Sequence, residues 1–323
     1  MINSLYIKNY KLFKEFRVDS FAQVNLIIGK NNVGKTSLLE ALMLFSDDKN
    51  IVRNIFKVLR VLKLNPNLSS QQYLEILTTI FHSLDKAIFI GANEKTGNLI
   101  SLKQAIPNLV IKHADDTVEE ILLSTFQQTF DGISHHHYQF VSGNYFESDN
   151  LLAQRWGMIA LSEKEQYLID ALKIIDNNIE RLAFIDDTAN TKKAIVKLRD
   201  IKQPVSLNTM GDGINHILRT LLALVHCENG YLFIDEFATG LHWSVQTALW
   251  KMIFQLSLKL NIQIFATTHS LDTLSAFQEI AKNDDTNVAV IKLQSFPKKD
   301  KIKAVHFKTE EIMIAVEQNI EVR

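Results

Sequence analysis

An apolar run, Val24 to Ile28, passes directly into GKNNVGKT (Gly29 to Thr36) and from there into SLLEALMLF, whose leucines recur at helical spacing. A buried strand that turns through glycines onto a helix N-terminus leaves few folds open to a chain. Gly29 and Gly34 let the backbone curl so that its N–H groups converge, and the helix start adds a partial positive charge, so the loop reads as a phosphate cradle. Its lining is Gly29, Asn31, Asn32, Val33, Gly34, Lys35, Thr36 and Ser37. Lys35 supplies a cation for β- and γ-phosphates, and Thr36 a hydroxyl for Mg²⁺. A plain structural turn would need no lysine and hydroxyl at that point, nor a strand before and a helix behind.

Bulk charge argues for no polyanionic partner: 35 Lys and Arg face 36 Asp and Glu, for a net charge of −1. DNA stays open as a partner but nothing in the charge balance calls for it. At 323 residues with 46% apolar content the chain can bury a large core, as one α/β unit with an insertion or as two domains. Cys227, the one cysteine, lies in the apolar helical pattern LRTLLALVHC, which fits a packed thiol in a reducing compartment. No apolar run reaches the roughly 18 residues of a membrane span, and MINSLYIKNYKLF lacks a signal-peptide profile. The expectation is a cytoplasmic protein without a membrane partner.

The first 45 residues read as short strands (LYIKNYKLF, FRVDSF, VNLIIG) and a helix from Thr36, a small antiparallel lobe feeding the loop. Between about Ser46 and Ile185 helical patterns dominate (IVRNIFKVLRVLKL, QQYLEILTTIFHSL, VEEILLSTFQQTF, EKEQYLIDALKIID), broken by Pro66, Gly91, Gly97, Pro107, Gly132 and Gly143. Those breaks exclude a long coiled coil. After Ala194 strands and helices alternate: AIVKL, INHILRTLLALVHC, YLFID, SVQTALWKMIFQLSLKL, IQIFATT, a helix from Leu271, then VAVIKL. That order predicts right-handed crossovers and a mostly parallel sheet, which the strand before the glycine loop must join. Residues 1–45 and 190–323 are therefore expected to form one head, with 46–189 as a mixed, mainly helical insertion.

Three further motifs carry chemistry. YLFIDE ends a buried strand on Asp235 and Glu236; adjacent carboxylates at such a place call for a cation. Asp235 is placed to hold Mg²⁺ opposite Thr36, and Glu236 to polarise the water that attacks a γ-phosphate. IFATTHS ends a second buried strand on hydroxyls and His269, and neighbouring parallel strands bring their C-terminal ends together, so His269 can reach the γ-phosphate or that water. NTMGDGIN puts Gly211, Asp212 and Gly213 before an amphipathic helix. By itself this is either a turn with a helix cap or a second anion site. One chain needs no second triphosphate cradle, but a second copy could lay this loop over the nucleotide held by the first, in a two-fold dimer.

Together the glycine loop (Walker A), a glycine signature before a helix, the hydrophobic strand ending in Asp-Glu (Walker B) and a late histidine follow the order of an ABC-type ATPase head. The chain resembles the SMC, RecF and OLD (overcoming lysogenisation defect) group. Most specifically it resembles stand-alone bacterial AAA family ATPases related to OLD, through GKNNVGKTSLLEAL, NTMGDGIN, FIDEFATGLHWSVQ and FATTHS. The resemblance implies an α/β P-loop NTPase fold. It also implies ATP and Mg²⁺ as ligands, with Glu236 and His269 as catalytic and switch residues and Asp235 as the metal-holding acid. Thr209, Gly211, Asp212 and Gly213 would act on the nucleotide of the partner in a homodimer or higher homo-oligomer, with Gly240 to His242 crossing the interface. Lys11 falls where related heads carry a basic residue that reaches the nucleotide, and it reads equally as a solvated lysine. Two departures stand out: Thr209 replaces a serine, and His216 stands where many relatives carry arginine. The Mg²⁺-sensing glutamine has four candidates, Gln127, Gln128, Gln139 and Gln154.

OLD proteins append a TOPRIM nuclease that uses an Asp-x-Asp pair; this chain has no such pair and little sequence after His269. The expectation is a nucleotide-dependent switch for a separate effector, a nuclease of TOPRIM or other type in DNA repair or phage defence. A non-hydrolytic ATP-dependent scaffold and an SMC-like DNA-associated protein are the competing readings. A GTPase is disfavoured because no Asn-Lys-x-Asp motif occurs, and a transporter subunit because Leu-Ser-Gly-Gly-Gln is absent. The triplet His135 to His137 lacks the cysteines or spaced carboxylates of a metal site, and the pairs Asp115-Asp116, Asp186-Asp187 and Asp284-Asp285 read as solvated loop ends.

Overall fold

The computed structural model describes residues 1–59, 69–103, 108–122, 137–142, 148–188, 191–282, 286–296, 301–307 and 311. The chain opens with a hairpin, β1 (Leu5–Tyr10) and β2 (Phe13–Val18), followed by β3 (Val24–Ile28), which runs through the glycine loop into α1 (Lys35–Ser46). After α2 (Ile51–Val58) and α3 (Ser70–Thr78) come β4 (Ile88–Gly91), β5 (Gly97–Lys103), β6 (Asn108–Lys112), β7 (Val118–Leu122) and β8 (Tyr138–Ser142). Helices α4 (Asp149–Ile159) and α5 (Glu163–Leu172) lead to β9 (Ile179–Thr188), β10 (Thr191–Leu198) and the short β11 (Val205–Ser206). The remainder alternates: α6 (Asp212–Val225), β12 (Tyr231–Asp235), α7 (Trp243–Lys259), β13 (Gln263–Thr268), α8 (Leu271–Ala281), β14 (Val288–Phe296) and β15 (Lys301–Phe307).

These strands make two six-stranded sheets, β15-β14-β3-β13-β12-β8 and β2-β1-β4-β5-β6-β7, and a three-stranded one, β11-β10-β9. In the first, every pairing is parallel except β14 with β15, as the alternation of strands and helices predicts; the second is antiparallel throughout. Period-two alternation then sorts the parallel strands' side chains between two cores. Leu26, Ile28, Leu232, Ile234, Ile264 and Ala266 face a core shared with α4 to α8. Ile27, Phe233 and Phe265 face a core shared with α1 and the antiparallel sheet. Each such buried Leu, Ile or Phe contributes roughly 1.5–3 kcal/mol, and a one-residue slip in register would exchange every one between the faces.

Several sequence readings are corrected. LYIKNYKLF is not one strand: Lys11, at φ 47°, turns the chain between β1 and β2. The middle segment contributes more strand than its helical patterns predict. VEEIL forms β7, and β4 to β7 extend the N-terminal hairpin into a full sheet, with Tyr6 opposite Gly91 and Ile7 opposite Ile90. β8, from the same stretch, pairs in parallel with β12 at the edge of the central sheet. Asp186 pairs with Lys192 and Asp187 with Lys193 across the β9–β10 hairpin; Asp115 accepts from Thr117, and Asp116 pairs with Lys112. Asp284 and Asp285 lie outside the described residues, as do His135 and His136. Among the described residues, no helix is long and apolar enough to cross a membrane, and no group of three or more His, Cys, Asp or Glu could hold a metal.

Candidate functional site

The glycine loop spans the end of β3 and the start of α1. Gly34, at φ 100°, is the residue before the helix, and a β-carbon there would sit 2.9 Å from Phe13 Cζ, so both conformation and space demand glycine. The first turn of α1 holds no acidic residue, which leaves its N–H groups for an external anion. Asn31 and Asn32 are exposed, Asn32 at φ 61°, Val33 is buried beneath the loop, and Ser37 is half-buried. Lys35, 6% exposed, donates to the carbonyls of Gly29 at 2.9 Å and Lys30 at 3.1 Å. Burial lowers its pKa, against the raising influence of Glu236 and Asp235. A desolvated ammonium at the start of a helix is a site for a multiply charged anion.

Strand parity delivers the acids. Asp235 shares a face with Phe233 and therefore looks toward α1, although 199 positions separate it from Thr36. The Thr36 hydroxyl donates to its carboxylate, 2.9 Å from Oδ2. Thr267, on the matching face of β13, donates to Oδ1 at 2.7 Å. Asp235 is 5% exposed, and a buried carboxylate held by two hydroxyls beside a lysine is a hard-oxygen donor set that suits Mg²⁺. The following residue, Glu236, takes φ 59°, a left-handed conformation that costs a non-glycine residue roughly 1–3 kcal/mol and persists only where its surroundings over-determine it. Its N–H donates to Thr267 Oγ1 at 2.9 Å, Phe237 N–H donates to the Thr267 carbonyl at 2.9 Å, and the Phe237 ring stacks on Trp250 at 4.0 Å. The turn aims the Glu236 carboxylate at His269: Oε2 lies 2.6 Å from Nδ1, with 27% and 50% of the two side chains exposed. Since a carboxylate only accepts, Nδ1 carries the proton of that bond.

The glycine signature sits apart. Thr209, on a short 3-10 turn (Leu207–Met210), donates to the Ser206 carbonyl at 2.7 Å. Gly211, at φ 98°, precedes α6, and it and Asp212 are exposed. Among the described residues no hydrogen bond joins Thr209, Gly211, Asp212 or Gly213 to the Thr36, Asp235 and Glu236 group. Gly213 instead packs on the loop after Glu236, where a β-carbon would run into the Gly240 carbonyl. Lys11 pairs with Glu40 on α1 and lies over the Tyr10 ring. Of the glutamines, Gln139 accepts from Arg155 at 2.6 Å. Gln154 lines a cleft of about 550 Å³ between α4 and the β9–β10 hairpin, and Gln127 and Gln128 lie outside the described residues. Cys227 is buried, its thiol donating to the Ala223 carbonyl, and burial pushes its pKa well up.

Two contributors, Thr267 and Gln246, have no assigned role in the sequence reading. Thr267 stood in a visible run of hydroxyls, and strand parity is the signal that would have singled it out. Gln246 closes the motif FIDEFATGLHWSVQ, with nothing in the sequence to give it a role of its own. His216 is no cross-interface cation: it is 6% exposed, its Nε2 lies 3.2 Å from the Phe237 carbonyl, and burial lowers its pKa from 6.5 to about 4. Because a carbonyl only accepts, the neutral ring donates from Nε2. The unfolded chain thus binds the proton that the folded one refuses, so this stabilisation is complete above pH 6.5 and is lost as pH falls toward 4. His216→Gln, which keeps a donor at that position, should be less acid-sensitive by about 2–3 kcal/mol in urea unfolding compared at pH 7 and pH 4.5.

A family model described as an AAA ATPase domain matches residues 1–153 and 150–273. A Helicobacter pylori protein named ATP/GTP phosphatase is 27% identical over 337 residues, covering 88% of this chain and 90% of its own. An uncharacterized protein of Methanocaldococcus jannaschii is 42% identical over 60 residues, 19% of this chain and 27% of that one. Among solved structures, an Smc head bound to the C-winged helix domain of ScpA superposes with a TM-score of 0.55 at 11% identity, covering 97% of this chain and 99% of that one. At such identity the likeness concerns the fold alone.

Proposed function

The chain belongs to the AAA ATPase domain family, and from that premise we propose that it hydrolyses ATP as a dimeric switch. The fold is α/β, that of a P-loop NTPase with an ABC-type head of the SMC and RecF kind, and ATP is the ligand its family implies. The observation that carries hydrolysis, rather than binding alone, is the Glu236–His269 pair at 2.6 Å beside the Thr36–Asp235 contact. In our reading the N–H groups of Gly29 to Ser37 and the Lys35 ammonium hold the phosphates. The Thr36 hydroxyl and the Asp235 carboxylate would hold Mg²⁺, which when bound offsets phosphate charge. Glu236 takes the proton of the attacking water, and His269 orients that carboxylate and senses the γ-phosphate.

Thr209, Gly211 and Asp212 are exposed, and neither they nor the half-buried Gly213 bond to this group, which supports action on a partner's nucleotide in a two-fold homodimer or larger homo-oligomer. Lys11, held by Glu40, would need to exchange that partner to reach a nucleotide. We assign residues 1–45 and 190–323 to the head and 46–189 to an insertion that lends β8 to the head's sheet. The motif resemblance supports kinship with OLD-like stand-alone ATPases and a separate effector, a nuclease in DNA repair or phage defence, with DNA as a further candidate ligand. The Helicobacter relative's name pairs ATP with GTP; for this chain the lack of an Asn-Lys-x-Asp motif favours ATP.

Calorimetric titration of nucleotide-stripped protein with ATP and Mg²⁺, with sedimentation in parallel, tests the reading. Saturable heat and a shift toward twice the mass are expected. No heat from folded protein would reject it, and binding with association but no phosphate release would select the scaffold reading.

A further inference from the structure

The buried stripe of α7 runs Gln246, Leu249, Trp250, Ile253, Leu256 and Ser257. At the head of a face otherwise built for packing stands a primary amide, 2% exposed. Burying an amide is unfavourable unless both its ends are bonded, and here both are. Nε2 donates to the Leu241 carbonyl at 3.3 Å, and Oε1 accepts from Thr273 Oγ1 at 2.7 Å.

Those two contacts lie on opposite branches of the reacting centre. Leu241 ends the loop that begins with Glu236: Leu241 N–H donates to the Ala238 carbonyl, and Thr239 donates to the Glu236 carbonyl through N–H at 3.1 Å and Oγ1 at 2.9 Å. Thr273, fully buried in the first turn of α8, donates its N–H to Ser270 Oγ at 3.3 Å. Ser270 N–H in turn donates to Thr268 Oγ1 at 3.0 Å, so this turn fixes the strand end that carries His269. A closed circuit results: Glu236, its loop, Leu241, Gln246, Thr273, Ser270, His269, and back to Glu236 across 2.6 Å.

We infer that Gln246 is a positioning residue for hydrolysis, joining the exit of the Glu236 loop to the helix behind His269 so that carboxylate and imidazole keep their mutual geometry. This rests on the reading of Glu236 and His269 as the reacting pair. An amide is needed because the two branches present an acceptor and a donor; methionine, of similar length, would fill the space and make neither bond. Small displacements of reacting groups from sites outside the chemistry are costly, up to about 10²-fold in rate.

The test compares Gln246→Met, Thr273→Val and Thr273→Ser in the full chain, by steady-state phosphate release and by thermal melting. Gln246→Met and Thr273→Val should each lower kcat about 10- to 100-fold with KM for ATP within about twofold. Thr273→Ser, which restores the hydroxyl, should recover most of the rate. Added to Glu236→Gln, Gln246→Met should cause little further loss, because both act on one group. Thr273→Val differs from threonine by one hydroxyl and keeps the question open to measurement should Gln246→Met fail to fold. The inference is overturned if the folded variants keep the parental kcat, if KM rises in step with the loss, if serine fails to rescue, or if the loss is undiminished on top of Glu236→Gln. If Glu236→Gln itself turns over at the parental rate, the underlying assignment of the base fails instead.

Discussion

Glu236→Gln is expected to lower ATP turnover by about 10²- to 10⁴-fold, the usual worth of a positioned general base, while the protein still binds nucleotide. The amide keeps the size of the side chain, and its oxygen can still accept from His269 Nδ1, so the left-handed turn at φ 59° and its anchors on Thr267 stay in place. What disappears is a group able to take a proton from water. Phosphate release measured beside calorimetric affinity separates the two effects: turnover should fall while the dissociation constant moves little. Association induced by ATP should also last longer, since the trapped nucleotide is no longer consumed. Unchanged turnover would remove Glu236 from the chemistry.

Lys35→Ala should act on the other quantity. Truncating one member of a buried, hydrogen-bonded charge pair costs about 2–5 kcal/mol, so ATP affinity should drop by about 30-fold to a few thousand-fold. Burial has already stripped the Lys35 ammonium of much of its water, which is the main cause of its lowered pKa, so little further desolvation opposes its pairing with phosphate. Without it Asp235 and Glu236 face an incoming triphosphate with one cation fewer to offset the charge. Lys35→Arg should rescue poorly, because a planar guanidinium cannot occupy the point between the Gly29 and Lys30 carbonyls. Nucleotide titration of the folded variants decides this, and near-parental affinity in Lys35→Ala would refute the role given to the loop.

The parts legible in the sequence were those where one local signal sufficed. The glycine loop, the apolar strands ending in Asp235 and near His269, and the alternation after Ala194 each carry their own pattern, and from them the parallel sheet follows. β4 to β7 were hard to see because Val118–Leu122 contains two glutamates and a leucine, good helix formers, and becomes a strand through pairing with Asn108–Lys112. Tertiary pairing overrides propensity there. Within the site, Thr36 and Asp235 belong to recognisable motifs, so their meeting across 199 positions was foreseeable. Thr267 acquires its contacts from strand parity, and His216 and Gln246 from carbonyls on a loop that packs against their helices. No spacing within α6 or α7 announces that a carbonyl waits opposite one particular position.

The chain's one thiol has a practical consequence. Cys227 is sealed in the core with its thiolate disfavoured, so a maleimide probe finds no ready target on the native fold. A cysteine introduced at Trp243, which is 64% exposed and follows the Gly240 to His242 loop, would therefore be a unique chemical handle. Fluorescence energy transfer between two such labels would report, in real time, whether ATP brings two copies of the molecule together, as the proposed dimer requires.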